Sequence, residues 1–315
     1  MGKNKIFDEA KKILSENHNL LQLEVQSNIS KAKSDDEFSA LNAKKRELSF
    51  ELGKYANEKK DVKPLVDELK EITKKQEIVL KKIGLTFNDL KEKFNCEKCK
   101  DEGVINGEYC VCFKRILSDI LLKESGLNKT NLPKFSDVDY SLYSDAYVKN
   151  MKIIYDNIEN YINNLKNQEK HIVTISGPTG VGKTFLTECI VERAIEQGYY
   201  TIYTTSIGLN VNMLKYHTAQ VNEKQNIIEP YLTCDLLIID DLGTEPIYNN
   251  VTIEYLYLVI SERLKAGLYT FINTNLTPNQ IIDVYGERIF SRIANIRDTM
   301  LINMNANDIR LGLRK

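Results

Sequence analysis

Eight residues constrain the chain more than any others: GPTGVGKT, Gly177 to Thr184. They spell G-x-x-x-x-G-K-T directly after the apolar run HIVTIS and directly before FLTECIVERAIEQG, a stretch of helical character. A glycine-rich turn between a strand and a helix can curl its amide N–H groups around phosphate oxygens, and the helix adds the positive end of its dipole. The whole loop, Gly177, Pro178, Thr179, Gly180, Val181, Gly182, Lys183 and Thr184, is therefore expected to bind a nucleotide. Lys183 is expected to reach the β- and γ-phosphates and Thr184 to offer its hydroxyl to Mg²⁺. The competing reading is a chance glycine-rich turn, and the flanking strand and helix weigh against it.

Further β-rich runs follow: YTIYTT, DLLIID and LYTFINT, separated by helical stretches. That alternation predicts an α/β fold with a parallel sheet. DLLIIDD ends in Asp240 and Asp241, two carboxylates at the C-terminal edge of a strand, where such sheets bind ligands. Asp240 is expected to support Mg²⁺, directly or through water, and Asp241 to orient or deprotonate the attacking water. Glu245 is a weaker candidate for that second role, and two carboxylates forming the turn before Gly243 is the structural alternative. LYTFINTN ends at Asn275, a candidate sensor of the γ-phosphate. In YGERIFSRI, Arg288 and Arg292 share one helix face. One is expected to pair with a carboxylate of its own chain, and Arg292 to enter a neighbouring subunit's nucleotide site; a surface salt bridge is the alternative.

The cysteines raise a separate question. Four of six lie within CEKCKDEGVINGEYCVC, spaced C-x2-C-x10-C-x-C. Two close pairs can place Cys96, Cys99, Cys110 and Cys112 around a tetrahedral zinc, with Gly103 and Gly107 helping the chain reverse. A redox pair or a chance cluster is the alternative. Cys189 and Cys234 stand alone in apolar segments and read as core residues.

Residues 1–95 are dense in Lys and Glu. Phe38, Leu41, Leu48, Leu52 and Tyr55 form one apolar stripe interrupted by Lys45. Leu65, Leu69, Ile72, Val79 and Ile83 form another, with Gln76 in the gap. These predict amphipathic helices in a hairpin or short coiled coil, with Lys63-Pro64 as a turn or helix start. The expected division is 1–95 helical and partner-binding, 96–128 zinc module and following helix, 129–168 linker and lead-in helix, and 169–315 nucleotide-binding domain. A net charge of −1 announces neither nucleic acid nor membrane. The N-terminal MGKNKIFDEAKK lacks an apolar signal region, and no apolar run approaches the roughly 20 residues of a membrane helix. A cytoplasmic protein is expected.

Taken together, these motifs resemble the AAA+ P-loop ATPases, and within them the bacterial replicative helicase loaders of the DnaC/DnaI type. SGPTGVGKT resembles the Walker A motif, DLLIIDDLGTE the Walker B strand, INTNL the sensor 1 segment with Asn275 as sensor, and YGERIFSRI the arginine-finger helix with Arg292 as finger. The cysteine segment resembles the zinc module of DnaI-like loaders of low-GC Gram-positive bacteria, and the terminal NDIR resembles the family's ending. The resemblance implies ATP, Mg²⁺ and Zn²⁺ as cofactors, self-association through the AAA+ domain, and loading of a hexameric replicative helicase onto single-stranded DNA. Many AAA+ proteins carry Glu where this chain has Asp241, which implies slow hydrolysis. Only about forty residues follow Asn275, fewer than the usual helical lid, so no sensor 2 arginine is assigned; Arg310 and Arg314 are candidates. Lys215, Tyr216 and His217 lie where loaders carry a DNA-contacting helical insertion, although a solvated helix face also accounts for them. Two other functions fit parts of the pattern: an IstB-like transposition helper, and an ATP-gated adaptor with little hydrolysis.

Overall fold

The computed structural model describes residues 3–312. Arg314 lies outside the described residues. Two compact units are present, one comprising Ile13–Glu102 and the other Met1–Lys12 with Gly103–Lys315. No helix among the described residues is long and apolar enough to cross a membrane.

The smaller unit is helical. It contains most of α1 (Lys3–Lys33), with α2 (Asp36–Asn57) and α3 (Lys63–Lys82) packed on each other as a hairpin. Asp35 caps α2 by accepting the Phe38 N–H at 2.8 Å, and Pro64 stands in the first turn of α3, so Lys63-Pro64 is a helix start. Phe38, Val79, Leu80, Ala32 and Leu85 form its core. The two polar residues that interrupt the apolar stripes face each other: Lys45 Nζ donates to Gln76 Oε1 at 3.1 Å. Gln76 is buried, and the bond satisfies its carbonyl there. The first stripe ends at the exposed Tyr55.

The larger unit opens with a small hairpin of β1 (Val104–Ile105) and β2 (Glu108–Tyr109), joined by Asn106-Gly107, both at positive φ as a type I′ turn requires. Next come α4 (Val111–Glu124) and α5 (Asp145–Asn163), and then an alternating array. It runs β3 (Ile172–Ser176), α6 (Lys183–Glu196), β4 (Thr201–Thr205), α7 (Ser206–Thr218), α8 (Val221–Thr233), β5 (Leu236–Leu242) and α9 (Thr252–Lys265). It ends with β6 (Tyr269–Thr274), α10 (Pro278–Ile293), β7 (Thr299–Asn303) and the short α11 (Ile309–Gly312).

The five long strands are all parallel, in the order β4-β5-β6-β3-β7. This is the parallel α/β sheet flanked by helices that the sequence predicts. Leu236, Ile238, Val173, Ile175 and Phe271 face a core built with α5 and α6; α9 packs on β6 and α10 on β3. The edge strand β4 is covered by α4, where Ser118 Oγ accepts the Thr201 N–H at 2.9 Å and Ser125 Oγ donates to Tyr203 O at 2.6 Å. Two serines thus occupy polar groups that an open edge would expose.

Residues 129–168 read as a linker and lead-in helix, yet Phe135 and Tyr143 before α5 are buried in the sheet's core. The Tyr143 hydroxyl donates to Val181 O at 3.2 Å, supporting the phosphate loop from below. Cys189 and Cys234 are core residues, as expected.

Candidate functional site

Strand order decides the site. β6 lies between β3, which leads into the glycine-rich loop, and β5, which ends in the two aspartates. The three strand ends therefore bring Lys183, Asp241 and Asn275 to one cavity of about 280 Å³, shared with Thr184, Gly180 and Arg310. Lys183 is buried; its ammonium donates to Gly177 O at 2.9 Å, Pro178 O at 2.8 Å and Asn275 Oδ1 at 2.5 Å. Burial lowers its pKa, opposed by Asp241 and Asp240.

The aspartates are treated differently. Asp240 is 2% exposed, and its carboxylate accepts from Tyr203 OH at 2.7 Å, from Asn273 Nδ2, and from Thr187 Oγ1 at a long 3.4 Å. Asp241 lines the cavity. The register of β5 slips between Ile239 and Leu242, and Asp241 takes a left-handed φ of 54° at this bulge. A non-glycine residue holds that conformation when its surroundings fix it. Here Asn273 Oδ1 accepts the Asp241 N–H at 2.6 Å, while Ser206 Oγ and Thr244 Oγ1 donate to its carbonyl at 2.8 and 2.9 Å. Burial and the neighbouring Asp240 push the Asp241 carboxyl above its ordinary pKa, with Lys183 pulling it down.

Glu245 is placed elsewhere. Its carboxylate accepts the Gly243 N–H at 3.0 Å and the Tyr285 hydroxyl. One oxygen is engaged within the loop after β5 and the other by Tyr285 of α10, and Glu245 does not line the cavity, which corrects the reading of Glu245 as a water activator. The expected internal carboxylate partner for Arg288 or Arg292 is also replaced. Both arginines lie over the Tyr257 ring, at 4.3 and 5.9 Å from its centroid, and Arg292 Nη2 reaches the Tyr257 hydroxyl at 3.5 Å. Among the described residues, neither forms an ion pair with a carboxylate. Tyr216 and His217 pack on α9: Tyr216 meets Tyr255 edge-on at 5.0 Å, and His217 Nδ1 lies 2.9 Å from its hydroxyl. Lys215 is exposed.

Two contributions were hidden from sequence reasoning. Asn273 is a fully buried amide directly after Phe271 and Ile272 in the central strand; its polarity there is the signal. The segment after β7 lies against the phosphate loop: the Met304 N–H donates to Ser176 O at 2.7 Å and the Ile309 N–H to Gly180 O at 3.0 Å. A Cβ on Gly180, whose φ is 86°, would stand 2.0 Å from Asp308 Oδ1. Glycine permits this close approach, and the approach brings Arg310 to the cavity wall.

The second cluster is Cys96, Cys99, Cys110 and Cys112, whose sulfurs lie within 4.8 Å of one another. Four convergent cysteine sulfurs fit the tetrahedral thiolate shell of a structural zinc. Asp101 braces the first pair, accepting the Cys96 N–H at 2.8 Å and the Asn95 N–H at 3.0 Å. His18 Nδ1 lies 3.1 Å from the same carboxylate.

Comparison with known proteins matches the family of IstB-like ATP binding proteins over residues 105–304, most of the chain. The chain belongs to that family. Within its relatives, the chain is similar to the replicative helicase loader DnaI of Bacillus subtilis (strain 168), 24% identical over 249 residues, covering 70% of this chain and 76% of that protein. It also resembles the ATP-binding protein ascribed to insertion sequence IS5376 of Geobacillus stearothermophilus, 31% identical over 118 residues, or 38% of this chain and 44% of that one. Among solved structures, a DnaI crystal structure aligns with 56% of this chain and 90% of its own, at 20% identity and a TM-score of 0.44. Membership implies that the chain binds ATP.

Proposed function

We propose that the chain is an ATP-dependent loader of a replicative helicase onto single-stranded DNA. The observation that carries this reading is the extent of the similarity to DnaI. An alignment of 249 residues cannot fit within 169–315, so it takes in sequence before the nucleotide domain. The 118-residue match to the insertion-sequence protein needs no such extension. It supports a second reading, a transposition helper built on the same ATPase.

The cavity residues take defined roles in ATP turnover. Lys183 exchanges its carbonyl and Asn275 contacts for the β- and γ-phosphates, and the loop amides from Gly180 to Thr184 hold the phosphate oxygens. Mg²⁺ would supply charge neutralisation beside Thr184. Asp241 faces the phosphates and orients the attacking water, while Asp240 contributes negative charge from behind. Asn275 senses the γ-phosphate through its amide, and Arg310 adds a positive charge from the same chain. Arg292 completes the site of an adjoining chain. The short side chain of Asp241 supports slow hydrolysis suited to a switch. The zinc-braced segment and the helical hairpin are the proposed grip on the helicase.

A pull-down of the tagged full-length protein from its native cell, with and without ATP, tests the assignment by the mass of what is retained. A hexameric replicative helicase is the expected partner. Recovery of a transposase in its place would favour the second reading. ATP turnover insensitive to single-stranded DNA and to Arg292→Ala would favour an adaptor that binds nucleotide without using its hydrolysis.

A further inference from the structure

Glu245 is 8% exposed, and the partners of its carboxylate are a backbone N–H and a phenol. A buried carboxylate held by neutral donors is a costly way to fasten a loop. Its geometry gives the contact a further consequence. Tyr285, the phenol, is 1% exposed and immediately precedes Gly286. Gly286 breaks α10 with φ 80° and ψ 165°, a region essentially reserved for glycine. A Cβ there would meet nothing within 4 Å, so the requirement is conformational and not steric. Helix α10 is thus two pieces set at an angle by one residue. The first piece ends on the Tyr285 anchor. The second carries Arg288 and Arg292, steadied against Tyr257 of α9.

The other end of the link is equally short. Glu245 stands four residues after Asp241, whose backbone N–H and C=O are fixed by Asn273 and Ser206. One short loop, one hydrogen bond and one hinge therefore separate the cavity-lining carboxylate from the pair of arginines. We propose that the Glu245–Tyr285 hydrogen bond is a positioning contact: it sets the break at Gly286 and thereby aims Arg288 and Arg292 from the loop that follows the nucleotide-facing Asp241. Tyr285 and Glu245 touch no phosphate in this arrangement; they act through the arginines. The inference rests on the reading that Arg292 serves an adjoining chain's nucleotide.

The test is subunit mixing in the full-length protein. Tyr285→Phe removes one hydroxyl and keeps the ring, and its turnover is expected to fall about tenfold while ATP affinity stays within about twofold. Mixed with an excess of Asp241→Asn protein, which keeps sound arginines but turns over little itself, the Tyr285→Phe chains should regain turnover, because their own sites now receive a correctly aimed Arg292. Arg292→Ala should be rescued by the same mixture, and Gly286→Ala should behave as Tyr285→Phe does. Rescue of Arg292→Ala without rescue of Tyr285→Phe or Gly286→Ala would overturn the positioning role and leave the arginine reading intact. Failure to rescue Arg292→Ala would overturn the arginine reading, and the positioning role with it. Thermal melts of each variant keep folding loss apart from these outcomes, with Gly286→Ala as the second route if Tyr285→Phe unfolds. Unchanged turnover in folded Tyr285→Phe would also overturn the proposal.

Discussion

The side-chain oxygen of Asn273 accepts the backbone N–H of Asp241 at 2.6 Å, and its amide nitrogen donates to Asp240. One buried amide on the central strand thus holds the Asp240 carboxylate and the Asp241 backbone. Asn273→Leu keeps the volume and removes both bonds, leaving a buried carboxylate and a backbone N–H short of partners. A stability loss of about 2 kcal/mol or more is expected in urea melts. Single-turnover ATPase should fall further than nucleotide affinity, because the bulge that presents Asp241 loses its support.

Arg310 shares the cavity with Lys183 and Asp241, carried there by the segment after β7. Arg310→Ala should weaken ATP binding about tenfold, or about 1.4 kcal/mol, in a fluorescent-nucleotide titration. Gly180→Ala should do likewise by displacing Asp308, which a Cβ would approach to 2.0 Å.

Arg288 and Arg292 hold the Tyr257 hydroxyl down to a pKa of about 8, from an ordinary value near 10. The sign follows from that depression. The attraction of phenolate for the arginines grows as pH rises from about 8 to 10, is fully present above 10, and is lost as pH falls through about 8. One tyrosine should therefore ionise near pH 8 in ultraviolet difference titration, and Tyr257→Phe should abolish that step. Turnover should decline above pH 8 as the phenolate retains the arginines, and the decline should vanish in Tyr257→Phe.

Four convergent thiols predict one zinc per chain by elemental analysis. Cys96→Ser with Cys99→Ser should abolish metal content and helicase retention while sparing ATP binding. Retained helicase binding by the metal-free protein would remove the docking role of this segment.

Arg263 is fully buried and donates to three backbone carbonyls, those of Tyr231, Cys234 and Tyr269, and to Thr270 Oγ1. It fastens the end of α8 to the start of β6. Arg263→Leu should cost about 3 kcal/mol or more by leaving these acceptors unmet, measured by denaturant melting.

Much was legible in the sequence because its signals are local. The glycine-rich loop, the strand–helix alternation and the cysteine spacing each lie within a short window; the alternation folds into the expected parallel sheet and the four cysteines converge. Where a partner comes from elsewhere in the chain, the reading fell short. Glu245 looks like a water activator beside two aspartates, yet Tyr285, forty residues away, claims its carboxylate. Arg288 and Arg292 look in need of a carboxylate, and Tyr257 on another helix takes that place. Lys45 and Gln76 each look like a flaw in an apolar stripe until the hairpin pairs them.

By itself, then, the sequence determined the chemistry available: which loop can hold phosphate, which strand ends carry carboxylates, and which thiols can share a metal. Backbone conformation and residue spacing suffice for these, since the groups are neighbours along the chain. Only the tertiary structure decided which groups line the cavity beside Lys183. Strand order puts β6 between β3 and β5, so Asn275 joins Lys183 while Asn273 holds the aspartates. The bulge in β5 turns Asp241 to the cavity wall and keeps Asp240 behind it. These outcomes depend on the pairing of distant strands and the packing between their faces, which no short stretch of sequence contains.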